Sequence, residues 1–426
     1  MKLFDYQRTG ADWLAGRKHA LLGDKMGLGK TIQAIEGCNL VQAQRVAVVC
    51  PAIARINWRR EFDKWGIYSP EVWIESFNKL ALDKELRKRW AAFKPDVLIV
   101  DEAHFLKTAS ASRTKALYGP HCRGDGLVRC AGRVWLLSGT IAPNNGTELF
   151  SHFRALWPEE LPGGGTYADW VNRYAHFIKG DHDTIKVLAN KNEAELREKL
   201  ARVMLRRRTE DVLPELPPTI YGELTVDNAE ALAEVKALEE TIEVQELIYR
   251  LEEDAPIPEG DPHLAAFRRV CGLAKAGPVA AVVHEELESG QVDKIVLFAH
   301  HREVIERLMQ GLQRFNPVRV WGGDTDRTRQ DAIDRFQTDP SVRVFVGQIT
   351  ACSTAVTLTA AHHCVFVEQS WVPTENDQAT HRLSRISQKC TVFARIAILA
   401  GSIDEAIQGT LTRKVRALSQ LYGANA

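Results

Sequence analysis

The sequence shows no excess of either charge: Lys and Arg total 55, and Asp and Glu total 55. A protein that holds nucleic acid tightly through bulk attraction carries a basic surplus, and that class of non-specific binder is disfavoured here. Contact with a phosphate backbone through a few local arginines, lysines and backbone amides stays open. No run of about 18 apolar residues occurs, so no membrane-crossing helix is expected. The first residues, MKLFDYQRTG, lack an apolar signal core, which points to the cytoplasm. None of the eight cysteines (Cys38, Cys50, Cys122, Cys130, Cys271, Cys352, Cys364 and Cys390) forms a CxxC pair. Several stand in apolar runs such as VAVVC and HHCVFVE, where a reduced thiol packs as a small core residue. His121, Cys122 and Cys130 find no fourth partner at suitable spacing, which argues against zinc.

What is present is an ordinary globular composition, 45% hydrophobic and 26% charged over 426 residues, enough for two or three domains with real cores. Short runs rich in Val, Ile and Leu predict strands at His19–Leu22, Arg45–Cys50, Val72–Ser76, Val97–Val100 and Arg133–Leu137. They show little polar alternation, as strands buried on both faces of a parallel sheet do. Helical patterns such as Thr31–Leu40 and Ile53–Lys64 fall between them. A second set follows at Lys294–Ala299, Val318–Trp321, Val342–Val346, Cys364–Glu368 and Val392–Leu399, separated by helical stretches such as Glu303–Phe315 and Arg327–Phe336. The fold class is therefore α/β, with two doubly wound parallel-sheet lobes and helical insertions between them. The expected division is lobe one at 1–215, with a helical elaboration at about 145–215 that includes a helix over Glu193–Leu205. A helical protrusion and linker follow at 216–290, with helices over 226–252 and 263–288, and lobe two spans 291–426.

Residues 23–31 read Gly-Asp-Lys-Met-Gly-Leu-Gly-Lys-Thr between a strand and a helix. A glycine-rich turn at a helix N-terminus lets backbone N–H groups converge on phosphate oxygens. Lys30 is placed to reach the β/γ-phosphates and the Thr31 hydroxyl to ligate Mg²⁺. The strict spacing fails by one position, because Asp24 stands where the first glycine is expected. A plain glycine-rich turn with a surface lysine is the competing reading. The second anchor is Asp101-Glu102-Ala103-His104, directly after the apolar run Val97–Val100. Asp101 would hold the metal, usually through its water, and Glu102 would orient and deprotonate the attacking water. Adjacent carboxylates after a core strand are common, so the pair alone is weak. Two such motifs at the carboxyl ends of strands in one sheet make a stronger joint signal.

In order along the chain these segments resemble the motif set of helicase superfamily two, and within it the Swi/Snf-related ATPases. Phe4, Tyr6, Gln7, Gly10 and Trp13 resemble the adenine-reading segment. The loop at 24–31 is similar to that family's Asp-Glu-Met-Gly-Leu-Gly-Lys-Thr, and residues 101–104 match its Asp-Glu-Ala-His box. Residues 48–65, VVCPAIARINWRREFDKW, resemble the motif that contacts the DNA backbone. Ser138-Gly139-Thr140, with Pro143 and Asn144, resembles the motif coupling hydrolysis to DNA. RRRTEDVLPELPP at 206–218 resembles the segment closing lobe one. Lys294–His300, Gly322-Gly323-Asp324 and Arg329 resemble the opening of lobe two. Gln378, Arg382, Arg385 and Gln388 match Gln-x-x-x-Arg-x-x-Arg-x-x-Gln, and Ser402–Ile407 resembles the closing Thr-Ile-Asp-Glu. DEAHFLKTASASRTKAL and TLTAA look closest to the HepA-related, annealing-helicase type.

The resemblance implies two RecA-like lobes and ATP with Mg²⁺ as the nucleotide and metal. It implies Gln7, Asp24, Gly27, Gly29, Lys30, Thr31 and Gln378 around the nucleotide, Thr31 and Asp101 at the metal, and Glu102 as base. Arg382 and Arg385, three apart as on one helical turn, would stabilise γ-phosphoryl charge from lobe two. Arg55, Arg59, Arg60, Ser138 and Thr140 are the candidate DNA contacts, and Arg206–Arg208 has a rival role as an internal brace. The implied activity is that of a monomeric ATP-dependent translocase on duplex or branched DNA, including branch remodelling or annealing. The compact chain suggests the cytoplasm of a bacterial or phage-infected cell. Departures are Lys25 for the family's Glu, Ser353 and Ala355 at two glycine positions of a loop, Thr380 and His381 for an acidic pair, and Ser387 for a glycine. Competing readings are a strand-separating DNA or RNA helicase, an ATP-gated DNA clamp with weak turnover, and a metabolic P-loop kinase. The kinase would not need Arg382 and Arg385 in a second α/β lobe.

Overall fold

The computed structural model describes residues 3–68, 70–142, 145–179, 185–241, 262–352, 356–370 and 373–402. The chain forms two compact units, Met1–Pro214 and Glu215–Ala426.

In the first unit, β1 (His19–Leu22), β2 (Arg45–Cys50), β3 (Glu71–Ser76), β4 (Val97–Asp101) and β5 (Arg133–Leu137) fall where the apolar runs predict strands. A hairpin of β6 (Ala175–Lys179) and β7 (Ile185–Asn190) and the short β8 (Met204–Leu205) complete the set. The main sheet has six strands in the order β3-β2-β4-β5-β1-β8, and every pair is parallel. Apart from the entry residue Arg45, β2 is buried throughout, as helices on both faces of a parallel sheet require. Trp90, Trp135 and Trp170 are fully buried in this unit and supply much of its apolar area.

The second unit repeats the architecture. Its strands are β9 (Thr219–Val226), β10 (Ile295–Ala299), β11 (Val318–Val320), β12 (Val344–Gln348), β13 (His363–Phe366) and β14 (Val392–Leu399). They lie in the order β11-β12-β10-β13-β14-β9, again all parallel. The 27-residue helix Pro262–Glu288 sends Val279 and Val283 into the same apolar cluster as Leu297 of β10 and Val346 of β12. Two RecA-like parallel-sheet lobes are thus present. Among the described residues no helix is long and apolar enough to cross a membrane.

Three elements correct the helical reading of 145–290. Residues 219–226 form β9, a strand at the edge of the second sheet. Most of its side chains face solvent, so it shows no apolar run, although Thr, Ile, Tyr and Val favour extended backbone. The hairpin β6–β7 replaces part of the expected helical elaboration. The helix beginning at Glu193 ends at Val203, because Met204 turns extended (φ −121°, ψ 129°) and pairs with β1. The helix Ala229–Glu239 opens the predicted 226–252 stretch, whose residues 242–252 lie outside the described residues, as do Pro143, Asn144, Ser353, Ala355 and the 403–407 part of the closing segment.

Leu297 on the central, wholly buried β10 gives a direct test of this core. Leu297→Ala is expected to lower stability by about 2–5 kcal/mol, read from the denaturation midpoint of the second unit. A surface-like loss of about 0.5 kcal/mol or less would contradict the placement.

Candidate functional site

Register gathers the first-unit motifs at one sheet edge. Leu22 of β1 pairs with Leu137 of β5, and Leu137 pairs with Asp101 of β4. The glycine loop, Asp101-Glu102 and Ser138–Thr140 therefore leave adjacent strands at the carboxyl edge, where open α/β sheets bind ligands. Gly27 (φ 85°) and Gly29 (φ 73°) adopt the left-handed conformation that turns the loop into the helix Lys30–Leu40. The Lys30 ammonium donates to the carbonyls of Asp24 (2.7 Å) and Lys25 (3.4 Å), so it lies inside the loop rather than in bulk solvent. Thr31 is half-buried on the first turn of that helix. A Cβ at residue 139 would stand 3.5 Å from Lys30 Nζ and 3.1 Å from Met26 Cγ, which places the Ser138–Thr140 segment beside the loop.

Asp101 is held on both carboxylate oxygens. The Trp58 indole N–H donates to Oδ2 at 2.8 Å and the Glu102 backbone N–H to Oδ1 at 3.0 Å. Burial, and then the neighbouring Glu102 carboxylate, push its pKa up to about 6. Two crowded, poorly solvated carboxylates form a pair that a divalent cation would relieve. Glu102 itself has φ 51° and ψ 51°, a costly backbone for a residue with a side chain and a type of strain that clusters at active sites. Its Oε2 is buried without a hydrogen-bond partner among the described residues, 3.3 Å from His104 Nδ1. That imidazole nitrogen meets Ser138 Oγ at 3.1 Å, joining the 101–104 box to the 138–140 segment. Burial, and then the nearby Lys107, lower the His104 pKa to about 4, so its ring is neutral at pH 7.

Gln7 and Asp24 are both turned inward. Gln7 is buried; its Oε1 accepts from the Phe4 N–H (3.1 Å), and its Nε2 lies 3.5 Å from the Leu28 carbonyl. Asp24 is fully buried and accepts from Gln33 Nε2 at 3.0 Å and from the Arg207 backbone and side chain. The Asp24 carboxylate thus belongs to the loop's internal scaffold, and its carbonyl faces Lys30. Lys25 lies 3.6 Å from Glu210.

The arginines on the helix Ala54–Trp65 differ among themselves. Arg55 pairs with buried Glu75 at 3.3 Å, Arg59 is exposed and donates to the Val72 carbonyl at 2.9 Å, and Arg60 is exposed. Ser138 is buried, and its hydroxyl accepts from the Thr140 N–H at 3.3 Å; Thr140 is half-buried.

In the second unit Gln378 and Arg382 are buried, and Arg385 donates to Thr357 Oγ1 at 2.5 Å. The helix carrying Gln378 ends at Thr380, so Arg382 and Arg385 do not share a helical turn as expected. They lie in successive tight turns stitched by Arg382 N–H to Ala379 O and Gln388 N–H to Arg385 O. Gln388 fixes these turns by donating to the carbonyls of Ala361 (2.9 Å) and Leu383 (3.1 Å).

Sequence reading passed over Trp58 as the residue that holds Asp101. Its four-residue spacing to buried Phe62 marked the inward face of that helix, but nothing marked the indole N–H as a donor. It also passed over the His104–Ser138 link, which only the strand order reveals.

Two family models match the chain. The SNF2-related domain model matches residues 6–71 and 67–227, and the helicase conserved C-terminal domain model matches residues 278–387. The "DNA annealing helicase and endonuclease ZRANB3" of Homo sapiens is 29% identical over 97% of this chain and 40% of its own length. A "SWI/SNF-related matrix-associated actin-dependent regulator of chromatin subfamily A-like protein 1" of Xenopus laevis is 30% identical over 98% of this chain and 44% of its own. The chain spans about two fifths of the length of these curated relatives. The "Sulfolobus solfataricus SWI2/SNF2 ATPase core in complex with dsDNA" superposes with a TM-score of 0.43 at 21% identity, over 98% of this chain and 92% of that one. The two curated relatives are animal proteins, so the expected bacterial or phage setting gains no support from them.

Burial of neutral His104 makes stability depend on pH. Its pKa falls from 6.5 to about 4 in the fold, so its contribution is present above pH 6.5 and is lost as pH drops towards 4. His104→Gln, which carries no titrating ring, is expected to flatten that loss. Each pKa unit removed corresponds to about 1.4 kcal/mol. Parallel slopes for the two proteins in denaturant unfolding between pH 6.5 and 4 would refute the burial argument.

Proposed function

The chain belongs to the SNF2-related family and is an ATP-hydrolysing enzyme, and from that premise we propose that it spends hydrolysis on movement along duplex or branched DNA. The observation that carries the site assignment is the shared carboxyl edge: the loop that leads to Lys30 and Thr31 and the Asp101-Glu102 pair both leave the sheet there.

ATP·Mg²⁺ is the substrate form that fits these residues. The inward-turned Lys30, the positive-φ glycines and the crowded acidic pair suit a triphosphate with its cation. Mg²⁺ would be held by Thr31 and Asp101 and would offset charge on the phosphate oxygens. Lys30 and the loop amides grip the phosphates, and Gln7 reads adenine. Trp58 and the Glu102 amide keep the Asp101 carboxylate in one orientation. Glu102 takes the proton from the attacking water at its unpartnered Oε2. His104 and Ser138 link that box to Thr140, the proposed route by which nucleic-acid contact reaches the hydrolytic residues. Arg382 and Arg385 supply positive charge to the developing transition state, with Gln378 among the nucleotide-facing groups.

DNA would be gripped mainly through its phosphates by Arg59, Arg60 and Thr140. Arg55 and Ser138 serve as supports, because Arg55 already pairs with Glu75 and Ser138 is buried. Such a grip reads backbone rather than sequence, and affinity falls steeply with salt. The protein works as a monomer in the cytoplasm, and branch remodelling or annealing is the finer assignment.

Steady-state ATP hydrolysis measured with duplex, forked and single-stranded DNA and with RNA tests the proposal. Duplex or forked DNA is expected to stimulate most; equal rates with and without every nucleic acid would favour the weakly turning clamp. Glu102→Gln is expected to keep ATP binding while turnover falls at least about 100-fold; retained hydrolysis would remove Glu102 as the base. Lys30→Ala is expected to weaken ATP binding itself, and unchanged affinity would count against the phosphate-loop assignment.

A further inference from the structure

Of the triplet Arg206–Arg208, Arg207 is turned into the first unit, with its side chain only 13% exposed. Its Nε donates to Asp24 Oδ1 at 3.0 Å and its terminal nitrogen to Oδ2 at 2.5 Å, a two-pronged pair with a carboxylate that has no solvent exposure. The same guanidinium donates to Gln33 Oε1 at 2.8 Å and to the Tyr6 carbonyl, and it lies over the Tyr6 ring at 5.3 Å. Gln33 passes the connection on: its Nε2 donates to Asp24 and to the Leu28 carbonyl (3.1 Å), which also accepts from the Tyr6 hydroxyl (3.2 Å). Backbone bonds seal the arrangement, from Gly23 N–H to Leu205 O (2.7 Å) and from Lys25 N–H to Arg207 O (3.0 Å). Gly10 records how tightly the network packs, since a Cβ there would lie 1.8 Å from Gln33 Oε1 and 2.8 Å from the guanidinium.

We propose that Arg207 is the positioning residue for the nucleotide: paired with Asp24, it locks the adenine-reading helix and the phosphate loop into one piece. It touches no reacting atom. A phosphate loop is a row of backbone amides with no core of its own, and it binds well only if those amides are already aimed. Asp24 stands where the loop pattern expects its first glycine. A carboxylate buried there is tolerated only with a cation beside it. The forked guanidinium reaches Asp24, Gln33 and the Tyr6 carbonyl together, which a lysine ammonium cannot do.

The inference rests on the reading of residues 23–31 as the nucleotide site, and the test separates the two. ATP turnover and equilibrium ATP binding are measured for the full chain and for Lys30→Ala, Arg207→Gln, Arg207→Lys and the double variant Asp24→Asn with Arg207→Gln, with thermal melting as the check on folding. Arg207→Gln is expected to raise the KM for ATP about tenfold or more while kcat changes less than about threefold, the signature of misplaced binding groups. Arg207→Lys should fall between it and the parent, and the double variant, which removes both charges together, should recover part of the loss. A merely structural role would lower the active fraction, and so kcat, and leave KM unchanged; that result in a folded Arg207→Gln overturns the proposal. If Arg207→Gln does not fold, Arg207→Lys decides in the same way. Unchanged ATP binding in Lys30→Ala would instead overturn the nucleotide site itself.

Discussion

The register of three parallel strands, β1, β5 and β4, is the constraint on which the rest depends. Leu22, Leu137 and Asp101 are paired across the sheet, so the three segments that follow them must emerge side by side. A slip of one residue in any of these pairings would send alternate side chains to the opposite face of the sheet. Buried Val, Ile and Leu on both faces hold the register, because moving it would cost apolar packing along the whole strand. The geometry of the proposed hydrolytic site is thus set by a core that would take no part in the chemistry.

Beyond that edge apolar residues such as Ala103, Leu106 and Ile141 still join the core, and polar contacts add to it. The glycine loop at residues 23–31 is held by the buried pair of Asp24 with Arg207 and by Gln33. Asp101 is held by Trp58, and the 101–104 box reaches Ser138 through a neutral His104. Each contact is a hydrogen bond to a buried group, expensive to break because the abandoned partner stays desolvated. Such contacts also fix direction, which apolar packing does not. The strained backbone at Glu102 fits the same picture, since surrounding contacts over-determine its conformation.

Much of this was legible in the sequence, for identifiable reasons. Strands buried on both faces read as unbroken apolar runs, so β1 to β5 and β10 to β14 stood out, with ends differing by a residue or two. The loop and the Asp-Glu pair were legible because their residue types are tied to chemistry at fixed spacing. β9 was hidden because an edge strand facing solvent shows no apolar run, and β8 because two residues carry no periodicity. The inward turn of the Asp24 carboxylate was hidden, because proximity in sequence to Lys30 says nothing about which way a carboxylate points. Its partner lies 183 positions away, a separation that no local pattern encodes. Arg382 and Arg385 looked helical from their spacing, whereas tight turns carry them, because the Thr380–Ser387 stretch bonds to nearby backbone instead of continuing the helix.

Family membership establishes an ATP-hydrolysing chain, and the proposal adds that hydrolysis is converted into travel along a duplex. Displacement of a third strand from a DNA triplex reads that conversion directly, since the strand is removed only by a body moving along the duplex. The account predicts displacement that requires ATP and that disappears when a non-hydrolysable analogue replaces it. Duplex-stimulated hydrolysis without any displacement of the third strand would contradict it.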